Sequence, residues 1–356
     1  MRLTVLASGS KGNSAVVATD RTRILVDAGL SCRELLRRLR AAGEEPEKLS
    51  AILITHEHQD HVAGLGVLAR RLRIPVFFTE PTHRAWVRML TPRTTMSYAQ
   101  WLDKLASERE ERLAATAHVP AYNFGATSEG GPAEEGSSPA ALEAIAAVSA
   151  EVAALDPVVS ASSEAMGGAE PPAEEPCEPR PGKVAVEATA LPAVEYFHAG
   201  TNFSIGDIDI CPFTIPHDAA DPCGFVFSAA GVRFGLATDL GYMPPNVKAA
   251  LKDLDLLLLE SNHDLEMLRD GPYPWSVKQR VLSRVGHLSN LACAEFLERD
   301  YDGGAHTIVL AHISASNNVP ELARMAAEGA IGDRMRLLGN RVVLAGQDLP
   351  LEPITL

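Results

Sequence analysis

The run Thr55-His56-Glu57-His58-Gln59-Asp60-His61 places three imidazoles and one carboxylate at the spacing H-x-H-x-D-H. It follows the apolar strand expected over Ala51–Thr55 and opens the helix expected over Val62–Arg73, so its side chains leave a strand end and enter a first helical turn. His56 and His58, on the loop, can converge on one cation, while Asp60 and His61 face a second. Imidazole combined with carboxylate suits zinc or manganese and permits iron. Two such ions ~3.5–4 Å apart can hold and acidify one water, aim it at phosphorus and neutralise the charge that develops on phosphate oxygens. A solvated, His-rich turn is the plain alternative, and the apolar strand directly before the cluster counts against it.

A dinuclear centre needs more ligands than one loop supplies. His217 stands in Pro216-His217-Asp218, Asp239 in Thr238-Asp239, and His312 in Ala311-His312-Ile313. Taken singly, each reads as a surface or capping residue. Together they stand at the carboxyl ends of expected strands, where α/β folds assemble ligand sites. Asp27 closes the strand Arg23–Val26 in the same way.

The elements that must position these residues alternate. Short strands at Leu3–Ala7, Ala15–Ala18, Arg23–Val26, Ala51–Thr55 and Pro75–Thr79 are interleaved with a helix over Ser31–Ala42, capped by Ser31, and the Val62–Arg73 helix, with Val67, Leu68 and Leu72 facing inward. From Val194 the pattern resumes, with strands at Ile208–Phe213, Gly224–Ser228, Arg233–Ala237, Leu254–Leu259, Thr307–Ala311 and Arg341–Leu344. Helices are expected at Ala249–Lys252, Val277–Val285, Ala292–Arg299 and Val319–Ala327. Between the halves, residues 103–192 are rich in Ala, Glu, Pro, Ser and Gly, with short helices expected at most over Trp101–Ala115 and Leu142–Ala154. That composition buries too little apolar area to offset its conformational entropy, so disorder is expected there. The reading is one α/β domain, 1–102 plus 193–356, interrupted by a long acidic insertion at 103–192.

Charge fits this division. Of 356 residues, 46 are acidic and 32 basic, a net charge of −14, which argues against a protein that holds nucleic acid by bulk positive charge. Within 103–192, however, 16 residues are acidic and 5 basic, leaving −3 for the body, which two divalent cations would bring close to neutral. Five widely spaced cysteines without a C-x-x-C pair suggest reduced thiols rather than a disulfide framework. The apolar runs fall far short of the ~20 residues that span a bilayer, and a cytoplasmic protein without a membrane partner is expected.

Beyond the ligands, the sequence contains the runs Leu6-Ala7-Ser8-Gly9-Ser10-Lys11-Gly12-Asn13, Ile215-Pro216-His217-Asp218-Ala219, Glu260-Ser261-Asn262-His263-Asp264, Gly286-His287-Leu288-Ser289-Asn290 and Ala311-His312-Ile313-Ser314-Ala315-Ser316-Asn317-Asn318. With these runs and the His56–His61 cluster, the chain resembles the metallo-β-lactamase superfamily, and within it the YycJ/WalJ-like branch. The resemblance spans about 1–90 and 194–356. It implies an αββα sandwich, two bound divalent metal ions, and a nuclease acting on DNA from the 5′ end. It also implies that His56, His58 and His217 hold one ion, that Asp60, His61 and His312 hold the other, that Asp239 bridges them, and that Asp27 buttresses the cluster from behind. Glu260 and His287 resemble the Glu/His pair of related ribonucleases and are the candidates for giving a proton to the leaving group. His263 is a further participant or a supporting residue.

Two features concern substrate. The Gly/Ser-rich turn around Ser10 and Asn13 can offer backbone N–H groups to a phosphate. Lys278, Arg280 and Arg284, near Tyr273 and Trp275, form a basic, aromatic-flanked helix face suited to a nucleic-acid backbone. Two rival readings stay open: a phosphodiesterase for small or cyclic phosphates on the same machinery, and a binding or regulatory module whose acidic insertion recruits a basic partner. A redox diiron site is disfavoured because Glu57 lies between the histidines rather than replacing one, and a β-lactamase by Asp60 and His312. Metal identity and oligomeric state are not specified by the sequence.

Overall fold

Strand alternation decides the layering. In β2 (Ser14–Ala18), Ala15 and Val17 enter one apolar cluster while Val16 and Ala18 enter another. In β11 (Leu256–Glu260), Leu256 and Leu258 join that same first cluster, and Leu257 and Leu259 a third. Strands apolar on both faces must be covered on both faces, and the chain forms four layers, helices–sheet–sheet–helices, with the shared cluster between the sheets. The computed structural model describes residues 1–91, 188–332 and 339–356. Most of the expected insertion, and both helices expected within it, lie outside those residues.

The first sheet contains β1 (Arg2–Ala7), β2, β3 (Arg23–Val26), β4 (Ala51–Leu53), β5 (Val76–Phe78), β6 (Val194–Tyr196) and β14 (Ile354–Thr355), in the order β14-β1-β2-β3-β4-β5-β6. The second contains β7 (Phe203–Ile205), β8 (Ile208–Thr214), β9 (Cys223–Ala229), β10 (Val232–Ala237), β11, β12 (Thr307–Ala311) and β13 (Arg341–Leu344), in the order β13-β12-β11-β10-β9-β8-β7. Each sheet runs antiparallel at one end and parallel at the other: β3 through β6 are parallel in the first, β10 through β13 in the second. β6 pairs directly with β5, and the Ala188 and Ala190 carbonyls already accept hydrogen bonds from Arg70, so the body is re-entered before residue 193.

Against the first sheet pack α1 (Cys32–Ala41), α2 (Gln59–Val62), α3 (Leu65–Leu72) and α4 (Glu80–Leu90); α5 (Pro245–Ala250), α8 (Asn290–Arg299) and α9 (Pro320–Ile331) cover the second. Ser31 caps α1 as expected, accepting from the Glu34 amide, and Leu35, Leu36 and Leu39 are buried, each contributing about 1.5–3 kcal/mol of burial. The single helix expected over Val62–Arg73 is instead broken at Ala63–Gly64. The Gly64 amide donates to Ala28 O, and Asp60 O, its helical acceptor, takes the Asn13 amide. One helical bond is exchanged for two tertiary ones, which pin the ligand loop. The break resets the helical phase, so Val67 is 54% exposed rather than inward, while Leu68 is buried. The sequence pattern places no helix at α4, where Thr79 caps and Pro81 stands in the first turn, nor at α6 (Leu265–Asp270), capped by Asp264. The expected Val277–Val285 helix is shorter and shifted, α7 (Trp275–Val281). Cys32, Cys211, Cys223 and Cys293 are free thiols. Among the described residues, no helix is long and apolar enough to cross a membrane.

Candidate metal centre

Six strands end at one rim of the sandwich and deliver the candidate residues there: β3 leads into Asp27, β4 into Thr55–His61, β8 into His217, β10 into Asp239, β11 ends on Glu260, and β12 leads into His312. Asp27, Asp239 and His312 adopt left-handed backbone conformations, with φ of 60°, 62° and 54°. Such residues cost about 1–3 kcal/mol each and persist where the surroundings demand them; here they turn the chain sharply so that side chains point back over the strand ends.

Potential ligand atoms fall into four overlapping groups, each within 4.8 Å: His56, His58 and His217; Asp60, His61 and His312; His56, His61 and Asp239; and Asp239, Glu260, His287 and His312. The first two match the two sets implied by the resemblance, and Asp239 lies between them. Each imidazole has one nitrogen held by the protein and turns the other toward the centre, where Asn13 Nδ2 also lies 3.0 Å from His61 Nε2. His61 Nδ1 donates to Asp27 Oδ2 (2.8 Å), His312 Nδ1 to Glu260 Oε1 (2.8 Å) and His217 Nδ1 to Gly286 O (3.1 Å). His56 Nδ1 meets Thr55 Oγ1 (3.0 Å), whose own proton goes to Asp27 Oδ2 (2.9 Å). His58 is reversed: its Nε2 donates to Asp218 O (3.2 Å), and its Nδ1 lies 3.2 Å from His217 Nε2.

The remaining atoms test whether metal ions fit. His56 Nε2, Asp239 Oδ2 and His312 Nε2 are buried without a hydrogen-bond partner among the described residues. Buried unpaired polar atoms are costly, and cations held by these nitrogen and oxygen donors would satisfy all three. The donor set of imidazoles and carboxylates suits divalent metal ions, and the outward bonds are the kind that orient metal-binding histidines. Burial pushes the Asp60 carboxyl up, but His61 and His312 pull it below the ordinary carboxylate range, so it is an anion ready to hold a cation.

Glu260 is placed as a brace for two imidazoles. It is fully buried; Oε1 accepts from both His287 Nδ1 and His312 Nδ1 (2.8 Å each), and Oε2 from the Leu240 and Leu288 amides (2.7 and 3.1 Å). Burial alone would raise its pKa, yet the two imidazoles hold it well below the usual range, so it stays ionised. His287, half-buried at the rim, is the group of the pair with a nitrogen to spare. Behind them lies a polar network: Ser261 Oγ donates to Asn290 Oδ1, Asn290 and Asn318 bond each other, Asn318 Nδ2 reaches the Ser261 and Asn262 carbonyls, and Asn262 Nδ2 reaches His312 O. It ties the Glu260, His287 and His312 runs into one block. His263 is 1% exposed, paired along the backbone with Ser289, and both its ring nitrogens lack partners among the described residues. Burial lowers it to about 4, so it is neutral. It bonds no candidate ligand.

Most amides of the glycine-rich turn are taken within the protein. Its Gly9, Lys11, Gly12 and Asn13 amides already donate to Asn13 Oδ1, Gln347 Oε1, Gly9 O and Asp60 O. Asn13 is buried with Nδ2 3.1 Å from Asp60 Oδ2 and 3.0 Å from His61 Nε2, so it bonds two candidate ligands; Ser8 Oγ accepts the His312 amide (2.7 Å) from the same turn, and Ser10 is exposed. Lys278 also departs from expectation: it is 9% exposed and its Nζ donates to Arg269 O, beneath α7 instead of on an open basic face. Arg280 stays at the surface. Sequence reasoning misses Thr55, Asp218 and the asparagine network, although the motif runs contain Asp218, Asn262, Asn290 and Asn318.

A model of the metallo-beta-lactamase superfamily matches residues 7–88, and one of the beta-lactamase superfamily domain matches residues 170–313. The exodeoxyribonuclease WalJ of Streptococcus pneumoniae serotype 2 is 30% identical over 324 residues, covering 91% of this chain and 86% of that protein. The exodeoxyribonuclease YycJ of Bacillus anthracis is 29% identical over 334 residues, covering 94% and 90%. Among solved structures, YhfI from Bacillus subtilis superposes with a TM-score of 0.54 at 12% identity over 98% of both chains. Zn(2+)-bound PqqB from Methylobacterium extorquens gives 0.53 at 14% identity over 99% of both; at such identities these two speak to the fold alone. The chain belongs to the metallo-beta-lactamase superfamily, in the branch represented by WalJ and YycJ.

Proposed function

We propose that the protein is a dinuclear-metal phosphodiesterase that degrades DNA from the 5′ end. It is a metal-dependent hydrolase. The observation that carries the finer reading is the convergence of two three-residue donor groups on one rim, with Asp239 between them and three buried candidate ligand atoms without a hydrogen-bond partner among the described residues. The names of the relatives supply DNA as the substrate.

His56, His58 and His217 would hold one ion, Asp60, His61 and His312 the other, with Asp239 shared. When bound, two divalent ions supply a water of lowered pKa and neutralise phosphate oxygens. The chain's own residues do the rest. Asp27 fixes His61 in the tautomer whose Nε2 is an acceptor, and Asn13 Nδ2 bonds both that nitrogen and Asp60 Oδ2. Glu260 orients His287 through Nδ1, so that Nε2 is left to give a proton to the oxygen leaving phosphorus.

Elemental analysis should find two ions per chain, and the loaded protein should shorten a DNA duplex with early loss of a 5′ label. His58→Ala should lower metal content and abolish turnover. Loaded protein that cleaves neither DNA nor RNA would overturn the nuclease reading; early loss of a 3′ label would overturn the polarity.

A further inference from the structure

The stretch between Glu260 and His287 forms a wall of the centre. The Asp218 amide donates to Val285 O, His217 Nδ1 to Gly286 O, and the His287 amide to Val281 O, so the end of α7 is fastened to the ligand loops. Lys278 turns inward from α7, and the outer surface presents Trp275 at 65% exposure together with Arg280. Val277, Leu282 and Val285 are exposed beside them.

Arg280 is the informative partner. Its Nε donates to Asp218 Oδ2 (2.5 Å) and its Nη2 to Asp218 Oδ1 (3.1 Å), in a two-pronged grip. Asp218 directly follows His217, and its carbonyl takes the His58 Nε2 proton. The guanidinium is therefore anchored one residue from two candidate ligands, and at 57% exposure it keeps other N–H groups facing solvent. An arginine held this way is pre-organised for a phosphate oxygen, because less side-chain freedom is lost on contact. Five residues separate Trp275 from Arg280, a rise of about 7.5 Å along α7. At 3.6 residues per turn the two side chains stand about 140° apart around the helix, both exposed, and between them they offer a guanidinium beside the centre and an open aromatic ring, the combination that holds unpaired strands by backbone charge and base stacking.

We propose that α7 is a docking surface for a single-stranded nucleic-acid end, on which Arg280 contacts a backbone phosphate next to the scissile one and Trp275 stacks a base. The proposal rests on the reading of the centre as DNA-cleaving and names the form in which substrate reaches it: an unpaired strand, since the faces of paired bases are covered.

The test is binding, measured separately from cleavage, by fluorescence anisotropy of the metal-loaded protein with phosphorothioate-linked oligothymidylate and its abasic counterpart. Wild type should bind the oligothymidylate about tenfold more tightly than the abasic strand. Trp275→Ala should erase that preference without changing the salt dependence, and Trp275→Phe should restore most of it. Arg280→Ala should keep the base preference and make the slope of log affinity against log salt shallower by about 0.7. A wild type that does not prefer bases, a Trp275→Ala protein that still does, or an unchanged slope in Arg280→Ala overturns the proposal, whatever the protein cleaves. Binding with these signatures but no cleavage would overturn the nuclease reading and leave the docking surface standing.

Discussion

The two halves of the rim are built on different plans. The first concentrates four candidate ligands on one loop, His56 to His61, and stiffens it with neighbours: Asp27 on Thr55 and His61, Asn13 on Asp60, and the bonds exchanged at the α2–α3 break. The second sends out His217, Asp239 and His312 singly, from strands far apart in sequence, and holds them with Glu260 and the buried asparagine block. A contiguous cluster needs only local order to bring its ligands together. A scattered set needs the fold complete before any ligand is in place. The division extends to chemistry. Among the described residues, His287 is the rim imidazole that is paired with a brace yet lies outside the ligand groups implied by the resemblance, and it belongs to the second half.

The largest effect should come from separating proton donation from metal holding. His287→Ala should keep both ions and lose about 10²–10⁴ in kcat on DNA. Hydrolysis of bis-p-nitrophenyl phosphate should fall far less, because nitrophenolate leaves without a proton. Equal losses on both substrates, or loss of metal, would show that His287 belongs with the ligands and erase this distinction between the halves.

The braces come next. Asp27→Asn and Glu260→Gln keep size but replace an accepting oxygen with a donating NH₂ that opposes an N–H. Removing a group that orients a metal-bound histidine typically costs 10–100-fold in metal affinity or activity. The Asp27 change touches one ligand on a loop with other supports, so excess metal should restore most turnover. Glu260 serves His312 and His287 together, and Glu260→Gln should stay impaired at saturating metal. Titration of activity against metal concentration decides; full recovery of Glu260→Gln would reduce Glu260 to the rank of Asp27.

The same asymmetry governs how much of the molecule is legible in its amino-acid sequence. The His56–His61 cluster is legible because its spacing is itself the geometry, and His217, Asp239 and His312 because strand ends in this architecture share a rim. Strand alternation in β2 and β11 likewise announces the layers. Partners are not legible. Nothing local says that Asn13 turns to Asp60, that Lys278 folds under α7 to Arg269 O, or that Gly64 leaves its helix for Ala28 O; each depends on a contact that helical or strand periodicity does not encode. The same holds for Glu260, whose role as a brace follows from the four donors around its carboxylate.

The smallest predicted effect probes whether the second half depends on its block as claimed. Asn318 Nδ2 donates to Ser261 O, Asn262 O and Asn290 Oδ1, and its Oδ1 accepts from Asn290 and from the Val319 amide. Asn318→Ala leaves these buried groups unpaired, at about 1–3 kcal/mol, and Tm should fall by several degrees. Since the block supports Asn262, which holds His312 O, the harm should go beyond stability: affinity should drop for one of the two ions, measured by competition with a chelator, while the ion held by His56, His58 and His217 is retained. An equal loss of both ions would mean that the two sets share one scaffold. Loss of neither, with the fall in Tm intact, would mean that the block serves the core and that Glu260 alone fixes His312.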